Sequence, residues 1–199
     1  GNDWIRMYGL PTRYSAVIRA IKEGYTFLQD VAAVEYEESR YRQTRYMANV
    51  AGVGFDAAVI KRGQMMNGND KKKKGAGFYI RALINTFFRY KPTGVKIWVN
   101  DRLLYNNLLF SLAMGVGKYN GGGIQQLPQS VADDGLLDIT LIKPVHWWHV
   151  IFRLRRLFNG EIYSIGHVQH LQGSKIRIES SPEIDLEIDG ELHGGTPVE

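Results

Sequence analysis

The chain has 199 residues and no cysteine, is 44% hydrophobic and 23% charged, and carries a formal net charge of +5. That suits one large globular domain or two small ones with room for a core, and it excludes disulfides and thiolate metal sites while being compatible with a reducing cytosol. No run reaches the roughly 18 to 20 apolar residues of a bilayer span.

The start, Gly1-Asn2-Asp3-Trp4-Ile5-Arg6, shows no signal-peptide pattern and no initiator methionine, as a piece of something longer would. Residues 12–23 have the spacing of a short amphipathic helix ended by Gly24. Residues 25–37 and 40–50 read as strands, and a helix is predicted from Asp56 to about Gln64. Residues 68–77 form a polar, lysine-rich loop, and 78–90 suit an apolar-faced helix stopped before Pro92. Val95–Val99 alternates as a half-buried strand does, Asn100-Asp101 turns the chain, and Leu103–Gly115 is a further strand. After a strand over Leu137–Ile142, His146–Phe158 reads as a helix with aromatic and basic faces. Three alternating runs follow at 166–171, 174–179 and 184–189. The pattern is mainly β and mostly antiparallel, with about four inserted helices. With no repeat and no low-complexity linker, residues 1–199 read as one domain.

Charge is unevenly distributed. Lys61, Arg62 and Lys71–Lys74 stand against the single acid Asp70, and Lys143, Arg153, Arg155 and Arg156 form a second basic stretch. From Glu179 to Glu199 there are seven acids and no lysine or arginine. Basic patches of this kind attract anionic membranes, and they also occur as plain solvated loops.

Four glycine-acid clusters punctuate the strands: Asn49–Asp56, Gly117–Gly123, Asp133–Asp138 and Asp189-Gly190-Glu191. Glycine lets backbone bend sharply or approach a ligand, so the spacing predicts loops gathered at one site. Asp134-Gly135 fits a simple turn or a divalent cation held by one carboxylate and backbone carbonyls, the oxygen shell that Mg²⁺ or Ca²⁺ takes. Asp189-Gly190-Glu191 fits a hairpin turn or a general base with its helper. Asp3 fits a helix N-cap or a phosphate-metal ligand, and Asp56 an N-cap for the helix that follows it. The five histidines lack tight metal spacing, and no phosphate-cradling P-loop is present.

Together these residues resemble the lipid kinase family of diacylglycerol kinases, sphingosine kinases and their bacterial soluble relatives. Gly1–Arg6 is similar to the end of that family's Gly-Thr-x-Asn-Asp-hydrophobic-Ala-Arg segment, and Asn49–Asp56 to its Asn-x-x-x-Gly-Phe-Asp element. Gly121-Gly122-Gly123, Pro128 and Asp134-Gly135-Leu136-Leu137-Asp138 resemble its central run, and Asp189-Gly190-Glu191 its late Asp-Gly-Glu. The order is kept along nearly the whole chain, but the family's Gly-Gly-Asp-Gly-Thr nucleotide loop is missing. The resemblance therefore implies the second domain of a two-domain lipid kinase, an antiparallel β-sandwich, inactive without the nucleotide domain. It implies a cytoplasmic parent, peripheral at an anionic membrane surface, that transfers a phosphoryl group from ATP, with Mg²⁺, to a lipid hydroxyl. It further implies Glu191 as base with Asp189 competing, Asp134 with the carbonyls of Val131 and Leu136 on a metal, Asp56 near the lipid head group, and Asp3 at the interdomain cleft. A sphingoid base or another lipid alcohol as substrate, or a non-catalytic lipid-binding domain, are the alternatives. A homodimer is compatible with the pattern, and nucleic acid is not an expected partner.

Overall fold

The computed structural model describes residues 3–10, 13–24, 26–67, 83–146, 153 and 155–199. Two short helices, α1 (Asp3–Met7) and α2 (Tyr14–Glu23), precede the hairpin of β1 (Ala32–Glu38) and β2 (Tyr41–Met47). Strand β3 (Val50–Gly54) runs directly into α3 (Phe55–Asn67). Then come β4 (Thr93–Val99), β5 (Arg102–Leu109), β6 (Ser111–Gly115) and β7 (Leu137–Ile142). A 3-10 turn at Ile162–Ser164 leads to β8 (Val168–Gly173), β9 (Ile176–Ser181), β10 (Asp185–Ile188) and β11 (Glu191–Val198).

Among the described residues the strands form one sheet in the order β5-β4-β9-β11-β10-β3-β6-β7-β8, with the β1–β2 hairpin attached to β11. Every pairing is antiparallel. The sheet curls at β9–β11, which share a single register pair, Val198 with Ile178. Its two halves then face each other. Ile97 and Ile178 from one side meet Leu112, Ile139, Leu141 and Leu186 from the other in a common core. This is the antiparallel sandwich, with its side chains alternating between core and outer face.

Alternation is clearest in β10. Ile184, Leu186 and Ile188 enter the core, so residues 185, 187 and 189 share the outer face. Helix α3 covers that side, and Phe55 and Val59 pack with Phe110, Phe87 and Tyr90 in a second apolar cluster. Residues 83–87, 153 and 155–158 are also helical, within the two later helix expectations, but residues 88–89 are a turn and Tyr90 and His146 are irregular; residues 78–82, 147–152 and 154 lie outside the described ones. Gly24 ends α2 in the left-handed region, at φ 70°.

Three expectations change. Leu103–Gly115 is two strands, not one, because the chain leaves β4 after Leu109 and enters between β3 and β7 at Ser111. Leu108–Phe110 and Leu112–Met114 flank that change with only Ser111 between them, so periodicity could not show it. Residues 26–31 are irregular, and β1 starts only at Ala32. Strand β11 is additional. Its Gly194-Gly195 has weak strand propensity, yet a Cβ on Gly194 would lie 1.9 Å from the Glu37 carbonyl oxygen, and one on Gly195 would lie 2.7 Å from that of Ile184. Close backbone approach, not propensity, selects glycine at both positions.

Candidate functional site at one end of the sheet

Register brings the glycine-acid clusters to one end of the sheet. The Asp189 N–H donates to the Val50 carbonyl at 2.9 Å, Val50 opposes Gly115, and Gly115 opposes Asp138. These four residues form a row across β10, β3, β6 and β7, spanning three strand spacings or roughly 14 Å.

Asp189 and Gly190 are the two central residues of the β10–β11 hairpin, with φ of 50° and 88°, as a tight primed turn requires. The Asp189 carboxylate holds this turn against the end of β2. Its Oδ1 accepts the N–H groups of Asn49 and Val50 at 2.9 and 3.1 Å, and its Oδ2 accepts that of Ala48 at 2.9 Å. Glu191, opposite Ile188, is exposed. Asn49 extends the link to the second cluster, because its Nδ2 donates to the Tyr119 carbonyl at 3.1 Å. Its own carbonyl accepts the Val116 and Gly117 N–H groups, each at 3.0 Å. Asp3, in the first turn of α1, accepts the Gly122 N–H at 2.8 Å and pairs with Arg6 at 3.5 Å.

Beneath the turn lies a polar network. Gln126 Nε2 donates to Asp56 Oδ2 at 2.6 Å, and Asn120 Nδ2 donates to Gln126 Oε1 at 3.2 Å and to Glu187 Oε1 at 3.5 Å. Glu187 is fully buried on the outer face of β10, and its Oε2 accepts the Gly190 N–H at 2.9 Å. Burial pushes Glu187 up to about 8, helped by the negative charge of Asp56. Burial likewise pushes Asp56 up to about 6, with the Gln126 amide and Ser111 hydroxyl drawing it partly back. Tyr90 is raised to about 12, by burial first and then by the charge of Asp56.

The Asp134 loop stands at the far end of the row. Asp134 Oδ1 accepts the Leu136 N–H at 3.0 Å, and Asp30 Oδ2 accepts the Gly135 N–H at 2.7 Å. Asp138 is buried and bonded to His170 at 2.6 Å, so its carboxylate belongs to the fold. Among the described residues no three His, Cys, Asp or Glu side chains converge as a metal cluster. The loop supplies two exposed carboxylates, Asp133 and Asp134, of which Asp134 folds over its own backbone, and that donor set fits a hard cation completed by carbonyls and water. Beside it opens a cavity of about 440 Å³ between the layers, walled by Val34, Met47, Met114, Leu137, Ile176 and Val198.

Comparison with known proteins settles the family. The YegS C-terminal NAD kinase beta sandwich-like domain matches residues 49–199. The chain belongs to this family. A diacylglycerol kinase of Mycobacterium tuberculosis is 24% identical over the whole chain, which covers 62% of that protein. A "Probable lipid kinase YegS-like" protein of Pseudomonas savastanoi is 27% identical over 98% of the chain and 59% of its own length. The chain thus spans about three fifths of the curated relatives it matches. A crystal structure of a diacylglycerol kinase from Bacillus anthracis shares the fold, with a TM-score of 0.58 at 18% identity over 99% of this chain and 58% of its own.

In this YegS-type domain, Asp3, Asp56 and Asp189 are joined through the network around Asn49 and Asn120, whereas Asp134, with Val131 and Leu136, lies apart on β7's side. Glu187 and Gln126 were missed by sequence reasoning. For Glu187 the available signal was an acid at every outward position of 185–189. Lys61 of the basic stretch is engaged by Asp185 at 2.8 Å, and Arg156 by Ser164 at 3.0 Å. Lys71–Lys74, Trp147 and Trp148 lie outside the described residues. Among the described residues no helix is long and apolar enough to cross a bilayer.

Proposed function

We propose that this chain forms the acceptor half of an ATP-dependent lipid kinase, with diacylglycerol or a related lipid alcohol as phosphoryl acceptor. The observation that carries the reading is the meeting of Asp3, Asp56, Asp189 and Glu191 with glycine-rich backbone at one sheet end, in a domain family whose relatives bear lipid kinase names. Phosphoryl transfer requires an aligned hydroxyl, a base and neutralised charge. Glu191 is the base of this proposal. It is exposed beside the turn, whereas the Asp189 oxygens already accept three backbone N–H groups. That favours Asp189 as the residue that shapes the turn. Asp56 faces the lipid head group, and Asp3 lies at the cleft toward the nucleotide. Mg²⁺ would be held by Asp134 with the carbonyls of Val131 and Leu136, where it would organise the loop at the far end of the row. The cavity beside that loop, lined by apolar Val34, Met47 and Leu137 and by charged Glu35, Arg42 and Lys175, has the scale of a small-molecule site. The reaction would be carried out peripherally at an anionic membrane on the cytoplasmic side, with the basic segments as contact points.

The test is turnover of the intact protein with ATP and a panel of lipids. Diacylglycerol should be phosphorylated, and Glu191→Gln should lower turnover by at least about a hundredfold while ATP binding persists. Full turnover in Glu191→Gln would remove the base assignment, and phosphorylation of a sphingoid base in place of diacylglycerol would change the substrate.

A further inference from the structure

Glu187 has no part in that reaction, yet it is the most enclosed acid of the site. It lies on the outer face of β10, opposite Gly52 on β3 and Leu192 on β11. A Cβ added to Gly52 would meet Glu187 Oε1 at 3.0 Å and Asp56 Oδ2 at 3.4 Å. The two carboxyl groups therefore flank one glycine with no side chain between them. The groups facing the pair are Asp56 from α3, Asp189 from the turn, Tyr90 from the segment after residues 83–87, and neutral Asn120 and Gln126 from the loop. The nearby cation, Lys61 of α3, is bonded to both oxygens of Asp185 at 2.9 and 2.8 Å. Among the described residues, no lysine, arginine or histidine forms an ion pair with either acid. Burial and mutual repulsion both oppose ionising the two carboxyls together.

The second observation is the direct bond from the Gly190 N–H to Glu187 Oε2. Gly190 is the residue before Glu191. We propose that Glu187 is a positioning residue: protonated against Asp56 across Gly52, it anchors the Asp189-Gly190 turn through the Gly190 N–H and so sets where Glu191 stands. The positioning role rests on the reading of Glu191 as base, and the Glu187–Gly190 coupling itself does not. Loss of the proton puts a second charge beside Asp56 and near Asp189, and that repulsion opposes the stronger acceptor that the ionised carboxylate offers the Gly190 N–H. The high value of Glu187, about 8, has the same causes, burial first and Asp56 second.

NMR of the chain between pH 4 and 10 tests the coupling. The Glu187 carboxyl carbon and the Gly190 amide should titrate together with a midpoint near 8. Asp56→Asn should lower that midpoint by about one unit or more. Glu187→Gln should erase the step at Gly190. If Glu187→Gln does not fold, the unmutated chain and Asp56→Asn still decide. A Glu187 midpoint in the ordinary carboxylate range, or a Gly190 amide unchanged between pH 6 and 9, overturns the proposal. In the intact protein, turnover with ATP and diacylglycerol should decline through about pH 8, and Glu187→Gln, which keeps a neutral acceptor for the Gly190 N–H, should abolish that alkaline decline. Superimposable pH profiles overturn the positioning role. Turnover retained in Glu191→Gln sinks the base reading alone, since the NMR titration judges the coupling without it.

Discussion

Asp189 shows how one side chain can hold a site together. Its carboxylate accepts three backbone N–H groups from Ala48–Val50 while its own backbone sits at a φ of 50°. Asp189→Ala should therefore cost about 1–3 kcal/mol in urea unfolding, from the lost charge-assisted bonds and from placing alanine in the left-handed region. Asp189→Asn, which tolerates that backbone and keeps one acceptor, should cost less. Glu187 supplies a pH test. Its value is about 8 in the fold against 4.5 as a free side chain. Between these limits the unfolded chain binds fewer protons than the folded one, so stability falls as pH rises through about 5 to 8 and is level outside that window. Glu187→Gln should flatten most of the decline, whose upper bound is about 5 kcal/mol. Asp56, raised to about 6, contributes with the same sign at lower pH.

Strands β10 and β11 meet their neighbours where glycine removes the obstacle. Gly194→Ala would drive a Cβ to 1.9 Å from the Glu37 carbonyl oxygen, a clash with backbone that no rotamer relieves. It should destabilise by about 3 kcal/mol or more and loosen β1 from β11, seen as faster amide exchange at Glu35 and Glu37. Gly166→Ala, with nothing within 4 Å of the added carbon, is the matched control and should be near neutral. Helix α2 was readable from its periodicity and its closing glycine, and α3 from the residues after Gly54. Strand β11 was not readable, because Gly194 answers to a strand more than 150 residues earlier in sequence and Gly195 to the backbone before β10.

The whole molecule places two chemistries along one sheet edge, the Asp189–Glu191 turn with the buried acids at one end and the Asp134 loop at the other. If the loop holds Mg²⁺, the chain's melting temperature should rise with the ion and Asp134→Ala should lose the increase. A melting temperature indifferent to Mg²⁺ would remove the metal from the proposal. The sequence by itself determined the antiparallel β class, most strands, and the four clusters, since alternation and turn chemistry are local properties of neighbouring residues. It also carried the family resemblance in the order of its motifs. Only the tertiary structure decided that Asp189 binds backbone, that Asp138 serves His170, and that Glu187 is enclosed with Asp56. Those outcomes depend on strand register and on which helix covers which face. An acid's environment is set by residues distant in sequence, and burial is what turns an ordinary carboxylate into a proton holder.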